Sequence, residues 1–180
     1  MIAVAAACGG GQATTLPAPA TTTSLTIATT SPAATAPPTT TTSSAAVVPV
    51  LLDFEAPLVG GGTIRGADLA GRDTLFWFWA PLCPVCRREA PTVVEASKIQ
   101  GINVVGVGGR GQPDALERGV AQFGIGSFPN IADRCELWAR FGVYAQPALV
   151  VVTAEGNVLG HMGDLDLDGI RDLVDRARAA

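Results

Sequence analysis

The stretch Phe76-Trp77-Phe78-Trp79-Ala80-Pro81-Leu82-Cys83-Pro84-Val85-Cys86-Arg87-Arg88-Glu89-Ala90-Pro91 decides how the rest of the chain is read. From Thr74 to Trp79 the residues are mostly apolar and aromatic, a composition that favours strands. Large apolar side chains fall on both faces, so this strand belongs in the centre of a sheet with helices covering each side. Pro84 suits the first turn of a helix, where its missing N–H is no loss. The cysteines therefore stand at a strand-to-helix turn. A sulfur at a helix N-terminus faces unpaired backbone N–H groups and the positive end of the helix dipole, which favours thiolate over thiol. Cys83 is the candidate nucleophile on that ground.

Downstream, Val85, Ala90, Val93, Val94 and Ile99 have roughly helical spacing and form the expected buried stripe, with a kink expected at Pro91. Ile102 to Val107 reads as a second buried strand. Pro113 to Phe123 reads as a helix stopped by Gly124, and Asp133 to Phe141 as a shorter one closed by Gly142. Pro147 to Val152 is a third strand, turned back by Thr153–Asn157 into a hairpin with Val158 to Met162, and Leu167 to Ala179 is a terminal helix. Upstream, Val50 to Phe54 reads as an edge segment and Val59 to Thr63 as a turn, followed by a short strand or turn from Ile64 to Gly71. This alternation describes an α/β class with a mixed sheet.

Charge divides the chain sharply. None of its 12 basic and 16 acidic residues precedes Asp53. Residues 50–180 are a normal size for one domain. The net charge of −4 and the lack of a Lys/Arg cluster argue against nucleic acid or an anionic lipid surface as a partner. Residues 1–8 resemble the end of a lipoprotein signal peptide, in which Cys8 is lipidated and becomes the mature N-terminus. No positively charged start precedes the apolar run, and Ala5 stands where Leu is usual, so an upstream start is one account of the departure. Residues 9–49 are almost all Thr, Ala, Pro and Ser, with too few large apolar groups to offset the entropy of ordering. They read as a disordered stalk that holds the domain off a cell envelope. The expected location is accordingly outside the cell, at the membrane face or secreted.

Four features of the last 130 or so residues resemble the thioredoxin fold, in its TlpA/ResA/DsbE branch of exported thiol-disulfide oxidoreductases. They are Phe78-Trp79-Ala80-Pro81, the Cys83-Pro84-Val85-Cys86 motif, Arg87-Arg88-Glu89-Ala90-Pro91, and Phe141-Gly142-Val143-Tyr144-Ala145-Gln146-Pro147 before a strand. The resemblance implies a redox pair in which Cys83 attacks a substrate disulfide and Cys86 resolves the mixed disulfide. It implies a cis bond before Pro147 and a substrate chain lying along Gln146 and Pro147, with Pro84 and Val85 beside it. No cofactor is implied. The partners are protein thiols and disulfides plus a redox partner that resets the pair. Two departures stand out. Leu82 occupies a position that is usually Trp, and Trp77 occupies the place of thioredoxin's buried aspartate. Glu89, one helical turn beyond Cys86, matches the glutamate of the branch with a Cys-x-x-Cys-x-x-Glu pattern, where it serves as a proton shuttle or else stands as a solvated surface carboxylate.

Other readings remain open at this level. Cys83, Cys86, Cys135 and His161 make a set of four possible zinc ligands, which requires distant segments to converge. A permanent structural disulfide is a further reading, set against the small, strained loop it closes. A peroxiredoxin shares the fold, but Ala80-Pro81-Leu82 lacks the threonine that its cysteine needs. A copper-handling envelope protein of related fold uses cysteines three apart plus a distal histidine, whereas this chain has two residues between Cys83 and Cys86 and only His161 to complete such a set; a plain binding module on a stalk makes no use of the Cys83 thiolate. Cys135 is expected to pack as a small hydrophobe, with a third redox or intermolecular thiol as the other reading. His161 is expected on a surface or strand edge, and Arg87 and Arg88 either support a thiolate or are simply solvated.

Overall fold

The computed structural model describes residues 49–180. The expected signal peptide, its lipidated Cys8 and nearly all of the stalk fall outside the described residues. The described part of the chain opens with a 3-10 turn, Val50–Leu52, and then runs β1 (Glu55–Pro57), β2 (Thr63–Arg65) and a second 3-10 turn, Gly66–Leu69. The main body follows as β3 (Asp73–Trp79), α1 (Pro84–Ala96), β4 (Ile102–Gly108), α2 (Pro113–Phe123), β5 (Asn130–Ala132), α3 (Glu136–Arg140), β6 (Ala148–Val152), β7 (Val158–Met162) and α4 (Leu167–Arg178). β1 and β2 form a small antiparallel hairpin across Gly60–Gly62, all three with positive φ.

The principal sheet has the order β5-β4-β3-β6-β7. β3, β4 and β5 are parallel, while β6 and β7 run antiparallel to their neighbours. Both crossovers, through α1 and through α2, step in the same direction away from β3. Right-handed crossovers stepping one way place their helices on one face of the sheet. Leu75, Trp77 and Trp79 of β3 accordingly share a core with residues of α1, α2 and α4. The alternate residues Phe76 and Phe78 point to the opposite face. There they pack with Leu137 and Trp138 of α3 and with Leu52 and Ala56 of the opening segment. From Thr74 to Trp79 the strand is completely buried, as the two-sided apolar reading requires.

Several expectations shift. The opening segment Val50–Phe54 is not an edge strand. Leu52 turns into the core, and Arg140 Nη1 donates to the carbonyls of Val50 (3.1 Å) and Asp53 (2.7 Å). Pro49 lies against the β6–β7 turn, where a Cβ on Gly156 would stand 3.4 Å from its ring. The buried side of α1 is Cys86, Glu89, Ala90, Val93 and Ala96, with Val85, Val94 and Ile99 flanking it half-buried. That set obeys helical spacing better than the purely apolar one, but it includes a carboxylate that a hydrophobicity count leaves out. The helix continues through Pro91 to Ala96. The third helix starts at Glu136 rather than Asp133. The Asp133 carboxylate instead accepts from the N–H groups of Leu137 and Trp138, both at 3.1 Å.

β5 is an element that periodicity misses, because three residues are too few to show alternation. Asn130 on this strand joins it to the core. Its Oδ1 accepts from Trp79 Nε1 at 3.1 Å, and its Nδ2 donates to the carbonyls of Ile125 (2.8 Å) and Phe128 (2.9 Å). Replacing it by alanine leaves three buried polar groups without partners, each costing about 1–3 kcal/mol. Asn130→Ala is therefore expected to lower stability by roughly 2–4 kcal/mol. Urea denaturation reads this as a lower midpoint at unchanged slope.

Candidate active site

β3 ends at Trp79, and the chain turns at Ala80–Cys83, with Cys83 N donating to the Ala80 carbonyl at 3.1 Å. α1 starts at once, with Pro84 in its first turn and Cys83 as its N-cap residue. The Cys83 Sγ accepts the backbone N–H of Cys86 at 3.1 Å. A helix N-terminus leaves such N–H groups without internal partners, so a negatively charged sulfur here meets both a donor and the favourable end of the dipole. Cys83 and Cys86 are joined as a disulfide, with their Cα atoms 5.2 Å apart. The two sulfurs are not equivalent. Cys83 is 7% exposed and is flanked by Leu82 (92% exposed) and by exposed Pro84, whereas Cys86 is fully buried beneath the helix. An incoming reactant meets Cys83 first.

Glu89 is also buried, at 3% exposure, so the solvated-surface reading does not apply to it. Its Oε2 accepts from Trp77 Nε1 at 2.7 Å and its Oε1 from Leu165 N at 2.8 Å. Burial dominates its titration and pushes the carboxyl up from 4.5 to about 7. The two hydrogen bonds oppose that rise, and Asp164 nearby adds to it. Trp77, which stands where a buried aspartate was missing, thus holds the carboxylate that α1 supplies. Strand alternation carries the signal for this pairing, since Trp77 and Trp79 point to the α1 face while Phe76 and Phe78 point away.

The Gln146–Pro147 bond is cis, and Ala148 pairs with Phe78. Pro147 therefore lies at the end of β3 from which the cysteine turn emerges. Its carbonyl accepts from Gly163 N at 2.9 Å. The short loop after β7 thus touches both Pro147, through Gly163, and Glu89, through Leu165. Gln146 and Val85 are half-buried. Tyr144 projects from the same loop at 75% exposure.

Other candidates lie apart. Cys135 is exposed, with φ 69°, at the start of α3, so the expectation that it packs in the core fails. The left-handed turn at this residue points its side chain outward, while Leu137 and Trp138 fill the core behind it. α3 covers the opposite face of the sheet from α1, and among the described residues no group of three or more His, Cys, Asp or Glu converges. His161 is half-buried on the edge strand β7, opposite Leu149. Arg87 and Arg88 are exposed and make no ion pair among the described residues.

Comparison with known proteins agrees with this geometry. Residues 49–161 match the model of the AhpC/TSA family. The chain belongs to that family. Among similar members, the soluble secreted antigen MPT53 of Mycobacterium tuberculosis is 35% identical over 107 residues, 58% of this chain and 61% of that protein. The chain thus spans about three fifths of that relative's length. Thiol:disulfide interchange protein HelX of Rhodobacter capsulatus is 30% identical over 126 residues, 66% of this chain and 69% of that protein. The solved structure of MTB dsbF, described in mixed oxidized and reduced forms, superposes with a TM-score of 0.69 at 35% identity, covering 72% of this chain and 98% of that one. The fold of this AhpC/TSA member is thioredoxin-like, as the motif resemblance implies.

The raised Glu89 carboxyl has a stability consequence. The folded protein keeps this proton to about pH 7, whereas the unfolded chain releases it near 4.5. The contribution to stability is therefore complete below pH 4.5 and is lost as pH rises through 7. Each unit of separation is worth about 1.4 kcal/mol. Glu89→Gln carries no charge at any pH and is expected to flatten the stability profile in this window. Urea midpoints of the oxidised protein between pH 4 and 8 read the slope against wild type.

Proposed function

We propose that the protein is an exported thiol-disulfide oxidoreductase that works on cysteines of envelope or secreted proteins through the Cys83–Cys86 pair. The observation that carries this reading is the asymmetry of the two sulfurs. Cys83 caps α1 and receives the Cys86 N–H, while Cys86 is fully buried behind it. In the reducing direction, the Cys83 thiolate attacks a substrate disulfide. One substrate sulfur leaves as a thiolate and takes up a proton, and Cys83 is left in a mixed disulfide. Cys86 then loses its proton and attacks Cys83 Sγ, which releases the second substrate thiolate and closes the Cys83–Cys86 disulfide. Two electrons pass to the substrate. The same steps run backwards from the oxidised pair, and the reduction potential relative to the compartment selects the direction.

Glu89 is the proton acceptor we assign to Cys86. It lies one helical turn away on the same buried face, and a carboxyl that titrates at about 7 exchanges protons near neutrality. Gln146 and cis-Pro147 supply the backbone along which a substrate segment pairs. Pro84 and Val85, between the two cysteines, complete the rim. The peroxiredoxin alternative finds no support at Ala80-Pro81-Leu82, which offers no hydroxyl before Cys83.

Export rests on the sequence before Asp53 and on the secreted character that MPT53's name gives that relative. We assign Cys8 as the lipid anchor and residues 9–49 as the spacer. No helix among the described residues is long and apolar enough to cross a membrane. On this assignment, Cys8→Ala is expected to move the chain from the membrane fraction into the medium.

Equilibration of the full chain with glutathione or dithiothreitol buffers tests the activity. A reversible two-electron titration of Cys83–Cys86 is expected, and its absence defeats the reading. Cys86→Ser is expected to stall as a mixed disulfide with a polypeptide substrate, visible as an added mass under non-reducing conditions. Cys83→Ser is expected to form none. In the reduced enzyme, Glu89→Gln is expected to shift the pH dependence of mixed-disulfide resolution, and an unchanged profile removes Glu89 from the proton path.

A further inference from the structure

Beyond the end of β4 the sheet pairing extends one more step, where Gly109 N donates to the Trp79 carbonyl at 2.9 Å. The segment Gly109-Arg110-Gly111 is then hemmed in on both sides. A Cβ on Gly109 would stand 2.7 Å from the Trp138 indole, and one on Gly111 would stand 2.7 Å from Pro81 Cγ. Between these two glycines Arg110 has φ 54°. The left-handed region is unfavourable for a residue with a Cβ, so something must hold it there.

Its side chain makes two contacts that do so. The guanidinium carbon sits 5.1 Å from the centroid of the Trp138 ring, within cation–π range. Arg110 Nη2 also donates to the carbonyl of Tyr144 at 2.8 Å. Tyr144 belongs to the approach to Pro147. That approach is pinned at one end by Val143 N donating to the Trp138 carbonyl at 2.7 Å, and at the other by the Pro147 carbonyl. Among the described residues, the Arg110 contact is the only hydrogen bond to the backbone of Tyr144–Gln146. Leu82 and Tyr144, both largely exposed, extend from the neighbouring strands β3 and β6 at the same end of the sheet.

We propose that Arg110 is a positioning residue for polypeptide substrates: by clamping the Tyr144 carbonyl from its stacked seat on Trp138, it fixes the Tyr144–Gln146 backbone beside the cysteine turn. This rests on the oxidoreductase reading above. A polypeptide that pairs with the loop needs that backbone in place before it binds, because ordering it at the moment of binding subtracts from affinity. A small disulfide reaches Cys83 without using the loop. Arg110 thus acts on the affinity for protein substrates and not on the sulfur chemistry.

The test uses the full-length chain, reduced and mixed rapidly with insulin or with oxidised glutathione. Arg110→Asn removes the guanidinium while tolerating the left-handed backbone, and Arg110→Gly does the same without strain if the first variant is unstable. Either is expected to raise the half-saturating insulin concentration about tenfold, the equivalent of about 1.4 kcal/mol. The limiting rate and the glutathione reaction are expected to stay within about twofold of wild type. Arg110→Lys keeps a charged donor and is expected to recover part of the insulin affinity. An unchanged insulin half-saturation, or an equal loss with both disulfides, overturns the inference. Wild-type protein that reacts with neither disulfide defeats the oxidoreductase reading itself.

Discussion

The constraint on which this structure depends is that β3 has no exposed residue from Thr74 to Trp79. A strand buried on both faces must have paired neighbours and a cover on each side. β4 and β6 supply the pairing. α1, α2 and α4 cover the Trp77 and Trp79 face, and α3 with the opening segment covers the Phe76 and Phe78 face. The ring contacts follow from the same alternation, with Trp77 and Trp79 stacked at 6.1 Å and Phe78 edge-on to Trp138 at 6.0 Å. A turn leaving such a strand has little freedom. The cysteine motif is thereby held at one end of a rigid sheet.

The same alternation settles the polar interior. Burying a carboxylate is unfavourable unless it is well hydrogen-bonded. Glu89 meets this condition with two donors, one from β3 and one from the loop before α4. These bonds do not cancel the desolvation, and the carboxyl remains easy to protonate near neutrality. A fully exposed glutamate lacks that property, and one with a stronger set of donors loses it. The balance comes from burial set against two neutral donors, the Trp77 indole and the Leu165 amide.

Much of this was legible in the residues themselves. The two-sided apolar run announces β3, Pro84 announces the start of α1, and the positions of β4, α2, β6 and β7 follow from composition and from glycine and proline punctuation. What stayed hidden has a common cause. β5 is too short to display a period, and the polar contacts of Asn130 and Arg110 join segments far apart in the chain. Cys135 looks like core from its closeness to Leu137 and Trp138, but its backbone turns left-handed and its side chain is exposed. Pattern reading sees which face a side chain takes within an element, and these residues lie at element ends.

The seat of Pro49 beside Gly156 has a geometrical consequence. The β6–β7 turn that carries Gly156 follows Val152, which pairs with Thr74 at the beginning of β3, while the cysteines follow the other end of that strand. The polypeptide therefore enters its folded part at one pole and displays its sulfurs at the other. The cysteine turn is thereby clear of the point where the chain joins the sheet.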